Sequence, residues 1–149
     1  MASDADRLRP KNLMWLVAVL GSSLTLSVVS MGFELLVEEI AALMRGFGHQ
    51  GQALVGLLLV GVLLAAFGVN LPALWNGRPR GFRYAGVILV ASIVANVAIL
   101  CGGTFSRHGE AAGIGLVVSI VLNLFAARLM TSPDIGAYVS YRADGSPGN

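Results

Sequence analysis

The stretch Tyr84-AGVILVASIVANVAILCG-Gly103 contains no charged side chain over twenty residues. As an α-helix it would be about 30 Å long at 1.5 Å per residue, which is the thickness of a bilayer's hydrocarbon core. Three further runs have the same character: Leu13–Met31, Gln52–Trp75 and Ala111–Met130. The chain of 149 residues is 56% hydrophobic and 12% charged. That charge content is about half that of a soluble domain. These runs predict four transmembrane helices in an all-α, integral membrane four-helix bundle.

Within the quoted run lies S-I-V-A-N-V, Ser92 to Val97, and the fourth run carries S-I-V-L-N-L, Ser119 to Leu124. Spans three and four are joined by a short turn and should be antiparallel neighbours. Residues at equal depth in such a pair have numbers with a constant sum. Ser92 with Asn123 and Asn96 with Ser119 both sum to 215. Each serine is therefore expected level with the opposite asparagine, one helical turn apart. An amide left alone in hydrocarbon costs several kcal/mol, so reciprocal pairing would relieve that cost and fix the register. Other small-residue faces are expected to let helices approach closely. They are Ser23, Ser27 and Ser30 in span one, Gly61, Ala65 and Gly68 in span two, and Gly115, Ser119, Asn123 and Ala126 in span four. Asn70 and Pro72 fall near the end of span two, where the proline should kink or end the helix.

Basic residues mark orientation. Eight of the ten lysines and arginines lie at one side: Arg7, Arg9, Lys11, Arg78, Arg80, Arg83, Arg128 and Arg142. Arg45 and Arg107 lie at the other. This places both termini in the cytoplasm of a bacterial inner membrane. Trp15, Trp75, Tyr84, Tyr138 and Tyr141 fall on the same side, at the depth that amphipathic rings prefer. The basic N-terminal start precedes an apolar run longer than a signal-peptide core, and no A-x-A site closes it, so an uncleaved helix is expected. The layout divides into a cytoplasmic segment 1–11, a membrane domain 12–131 and a cytoplasmic tail 132–149.

After span one, Phe33, Leu36, Val37, Ile40, Met44 and Phe47 recur at helical spacing, with Glu34, Glu38 and Glu39 largely off that stripe. The pattern predicts an amphipathic periplasmic helix, either lying on the leaflet or continuing span one. Gly46, Gly48 and Gly51 would end it. Glu34, Glu38, Glu39 and Glu110 would then form an acidic outer surface suited to a protein partner.

Chemistry is sparse. The middles of the spans hold no Asp, Glu, His or Lys, the groups that proton relays and ion pumps generally need. His49, His108 and Glu110 show no metal-ligand spacing, so neither a metal nor any other cofactor is expected. The single cysteine, Cys101, excludes an internal disulfide and is expected to be a small packing residue. The basic residues flank spans rather than forming one patch, which argues against nucleic acid. No acid, base or nucleophile pair suggests an enzyme.

The layout resembles the small four-span inner-membrane proteins of bacteria, with short basic cytoplasmic loops and a P-x-x-x-A-Y ending, here Pro133, Asp134, Ile135, Gly136, Ala137 and Tyr138. In size and span count it is similar to membrane-embedded immunity proteins against pore-forming toxins. That resemblance implies a non-enzymatic protein, embedded in lipid, that binds a toxin and has no catalytic residues. A subunit role in a larger membrane complex, or a homo-oligomer, is the neighbouring reading. The rival is a small transporter or channel subunit whose path is lined by Ser23, Ser27, Asn70, Asn96 and Asn123.

Overall fold

The computed structural model describes residues 10–45, 50–101 and 110–144. Five helices follow in order: α1 (Lys11–Arg45), α2 (Gln50–Trp75), α3 (Pro79–Cys101), α4 (Glu110–Met130) and α5 (Pro133–Asp144). The first four are long and apolar enough to cross a bilayer, as in a multi-pass membrane protein. They pack as a bundle in which α1 and α3 each lie against both α2 and α4. His49, His108, the turn at 46–48 and the terminal stretches 1–9 and 145–149 lie outside the described residues.

Span one runs on without a break into the stretch that follows it. α1 is one continuous helix of 35 residues, about 52 Å long. Among the described residues no separate helix follows it before α2, and the stretch read as amphipathic is its far end. Gly51 lies inside α2, not in the turn before it.

At the opposite, basic end, α2 runs through Pro72 and ends at Trp75. The Arg78 N–H bonds the Ala73 carbonyl at 3.0 Å and the Gly77 N–H bonds the Leu74 carbonyl at 3.1 Å. Gly77 sits between them at φ +70°. This is the Schellman arrangement, in which a left-handed glycine satisfies the last carbonyls of a helix. Pro79 then opens α3 at the first helical position, where its missing N–H costs nothing. Gly81 lies directly on the last turn of α2. A Cβ there would fall 2.6 Å from the Ala73 carbonyl carbon and against the Leu74 backbone.

Pro133 acts in the same way. α4 ends at Met130 and Pro133 opens α5. The segment read as a tail thus contains a docked helix, which buries Ile135 and Tyr138 in the apolar core. That core fills the basic half of the bundle with Leu13, Leu16, Leu20 and Leu24 of α1, Phe67 and Leu74 of α2, and Ile88 and Leu89 of α3.

The small stripe of α2 does not pack within the chain. Ala65 is exposed, and a Cβ at Gly61 or Gly68 would meet nothing within 4 Å. The buried side of α2 is instead Gly56, Val60, Phe67 and Leu74, with Phe67 set against Gly21. Cys101, the last residue of α3, is exposed rather than packed.

Gly81→Ala should lower stability by roughly 1–3 kcal/mol, since two backbones have nowhere to move. Gly61→Ala should leave it unchanged or slightly raised. Unfolding curves of both variants in detergent check the contrast. Equal losses would place Gly81 away from the α2–α3 contact.

Candidate functional site: a polar seam inside the bundle

The inward face of α1 repeats at alternating spacings of three and four residues: Leu13, Leu16, Leu20, Ser23, Ser27, Ser30, Glu34. All are buried. The spacing keeps one stripe against the partner helices along the whole span. Its chemistry changes along the way, from leucine through serine to a carboxylate. Across from it, α4 buries Gly115, Ser119, Asn123 and Ala126, and α3 buries Ser92 and Asn96.

Ser119 is the node. Its hydroxyl lies 2.7 Å from the Ser23 hydroxyl and 2.7 Å from the Ser27 hydroxyl. It donates to the Ser23 carbonyl at 3.1 Å. Ser23 donates to the Ser119 carbonyl at 3.0 Å, and Ser27 donates to the Ser23 carbonyl at 3.0 Å. Each hydroxyl has one proton, so the hydroxyl–hydroxyl and hydroxyl–carbonyl contacts share three protons among them. The Asn96 amide donates to Ser119 Oγ at 2.9 Å and to Ser27 Oγ at 3.2 Å. One turn toward the basic end, the Asn123 amide donates to Ser92 Oγ at 3.0 Å.

The structure thus brings Asn96 to Ser119 and Asn123 to Ser92 within one chain. It also brings in α1 through Ser23 and Ser27, which makes the node a junction of three helices. Sequence reasoning placed those serines on a packing face but did not connect them to Ser119. Only glycine and serine leave room for such proximity. Ser30 stands against Gly115 so closely that any Cβ there would strike its side chain.

The amide oxygens Oδ1 of Asn96 and Asn123 are buried without a hydrogen-bond partner. Each asparagine spends its N–H side on the seam and leaves its carbonyl side against apolar neighbours. Rotating either amide would only exchange an unpartnered oxygen for an unpartnered NH2. All the groups at the node are neutral at ordinary pH. They can hold three helices in register, and they carry no net charge.

Glu34 is not on the acidic surface expected of it. It is 2% exposed and closes the seam at the end away from the basic loops. Since Ser30 lies on Gly115, Glu34 comes level with residue 111 one turn further out, in the first turn of α4. The positive end of the α4 dipole is a favourable place for a carboxylate. Glu110 is exposed in that same turn. The side chains of Glu38 and Glu39 lie outside the described residues. Asn70 does not join the seam. Its amide donates to the Ala66 carbonyl of its own helix at 2.8 Å. Among the described residues no group of three or more His, Cys, Asp or Glu side chains is placed to hold a metal.

A double-mutant cycle of Ser92→Ala with Asn123→Ala should give a coupling of about 0.6 kcal/mol, the usual scale for such pairs. Ser119→Ala, which loses contacts to two other helices, should cost more than Ser92→Ala and approach the upper limit of about 1.7 kcal/mol. Unfolding free energies in mixed micelles measure both. Zero coupling would mean that the pair does not form.

Against known proteins, the chain matches no family model, no curated protein and no solved structure. Its reading rests on its own geometry: a neutral, hydrogen-bonded seam held inside four membrane-spanning helices.

Proposed function

We propose that this chain is a non-enzymatic membrane protein that binds a protein partner in or at the membrane. Its specific form is an immunity-type protein that neutralises a membrane-acting toxin. In this reading the basic end faces the cytoplasm of a bacterial inner membrane and the far end of α1 faces the periplasm.

The far end of α1 carries the proposal. Met31 lies level with Gly56, since a Cβ on Gly56 would touch its sulfur at 3.0 Å. The first span runs to Val37. α1 continues to Arg45, about 12 Å further. At the end of that span and just past it the apolar row faces away from the bundle. Phe33 is 48%, Leu36 58% and Ile40 56% exposed, while Glu34 is turned inward. Apolar side chains standing outward at the end of the span and, at Ile40, just past it suit a partner that is itself partly in lipid.

The seam supports binding over conduction. Ser23, Ser27, Asn96 and Asn123 are fully buried, and their side chains are bonded within the bundle. Below them Leu13, Leu16, Leu20, Phe67 and Leu74 fill the basic half. A path through these residues would have to break the contacts that join the helices.

A photo-crosslinking side chain at Leu36 or Ile40 should capture a discrete protein in native cells, while the same probe at Val87 or Val90 on the lipid face of α3 should not. Identical patterns at all four positions, or none at any, would sink the binding reading. The immunity form further requires that deletion harm cells only when the toxin is present. Equal harm in toxin-free cells would contradict it.

A further inference from the structure

The docked helix α5 and the α2–α3 turn form a second polar cluster, at the basic end, that the partner-binding reading does not use. Tyr138 and Arg142 both rest on Gly77. A Cβ there would come 2.5 Å from Tyr138 Cε1 and 3.2 Å from Arg142 Cγ. The Arg142 guanidinium sits over the Tyr138 ring, 5.6 Å from its centre. Arg78 and Arg80 are exposed on the two sides of Pro79, immediately after Gly77. Three arginines thus flank one tight turn, at the positive end of the α3 dipole.

Among the described residues this cluster has no paired counter-charge. Tyr138 is 5% exposed, yet its hydroxyl has no hydrogen-bond partner, and neither does the buried Nε of Arg142. The hydroxyl is bonded one atom beyond Cε1, and so lies beside the Gly77 turn. Among the described residues no carboxylate is paired with Arg78, Arg80 or Arg142. Asp134, at the start of α5, is engaged by the Asn12 amide at 3.0 Å. Unpaired donors and several fixed positive charges call for an anion with several acceptor oxygens. Guanidinium forks match phosphate in particular. The depth is that of lipid headgroups. Trp15, Tyr84 and Tyr141 are exposed around the same end, where aromatic rings mark the membrane–water interface.

We infer that the α2–α3 turn and α5 together form a binding site for the phosphate of an anionic phospholipid headgroup, held by Arg78, Arg80, Arg142 and the Tyr138 hydroxyl. The lipid would act as a clamp between α5 and the bundle. Basic residues beside spans are common for topological reasons alone, so the discriminating observation is the buried Tyr138 hydroxyl and Arg142 Nε, which topology does not require.

The test is native mass spectrometry of the delipidated full chain, titrated with phosphatidylglycerol and, separately, with phosphatidylcholine. The chain should retain one phosphatidylglycerol preferentially. A basic residue that attracts anionic lipid diffusely is worth about fivefold in affinity. A charge-assisted hydrogen bond to phosphate is worth about tenfold or more. Arg142→Gln and Arg80→Gln should therefore weaken binding by about tenfold or more each. Arg128→Gln, with the same charge change on α4, should weaken it by about fivefold at most. Tyr138→Phe keeps the packing and should lose binding without losing thermal stability in lipid-free detergent. If Arg142→Gln does not fold, Arg142→Lys keeps the charge, removes the fork and should still weaken binding. Competition by inorganic phosphate would identify a site that also takes the free ion, and lack of competition one that needs the lipid. Equal effects of the three arginine-to-glutamine variants, together with a silent Tyr138→Phe, would overturn the site.

Discussion

In a bilayer, apolar side chains gain little by leaving lipid for one another, because the surroundings are as apolar as the core. This constraint shapes the whole molecule. Helices must be joined by close packing and by hydrogen bonds that lipid cannot supply. Ser119 provides both. It is small enough to let α1 approach α4, and its hydroxyl meets Ser23, Ser27 and Asn96 at once. α1 and α4 are far apart in the chain, and only a specific contact can hold such elements in register. The second pair, Asn123 with Ser92, repeats the lock one turn away between α3 and α4.

The bundle is therefore divided along its length. Its basic half has an apolar core and is closed by α5, through Ile135 and Tyr138. Its far half is joined by the serine and asparagine seam and ends at the buried carboxylate of Glu34. α2 contributes no side chain to the node and is the least covered of the four spans. It shields one side from lipid, with Phe67 seated on Gly21 and Gly56 seated against Met31. Such a division suits a protein that keeps its polar groups for internal order and presents apolar surface outward.

The fold was legible because bilayer thickness is so strict. A twenty-residue run without charge, such as Tyr84–Gly103, has few other places to go. The antiparallel register of spans three and four was legible too: the constant sum of residue numbers sets Ser92 opposite Asn123 and Asn96 opposite Ser119, and these are the pairs that hydrogen-bond. What sequence periodicity did not decide is which face turns inward. In water a charged residue goes out and an apolar stripe goes in. In lipid that rule reverses, and Glu34 turns inward while Phe33, Leu36 and Ile40 stand outward. The stripe Gly61, Ala65 and Gly68 was misjudged for a related reason. Small residues permit close approach but do not attract it, and α2 instead packs its Gly56 and Phe67 side. The alternating three-and-four spacing from Leu13 to Glu34 was the available signal for the α1 seam. It becomes visible only if serine is counted as a packing residue.

The central claim is that the seam joins α1 to α4 within one chain at the level of Ser119. It is tested most directly by cysteine cross-linking in a Cys101→Ser background. Ser23 and Ser119 hydroxyls are 2.7 Å apart, so Ser23→Cys with Ser119→Cys should oxidise readily to an intramolecular disulfide in membranes. The product should run as a monomer. The shifted pair, Ser23→Cys with Ala126→Cys, should remain reduced. A covalent dimer, or a bridge that forms only in the shifted pair, would contradict the account.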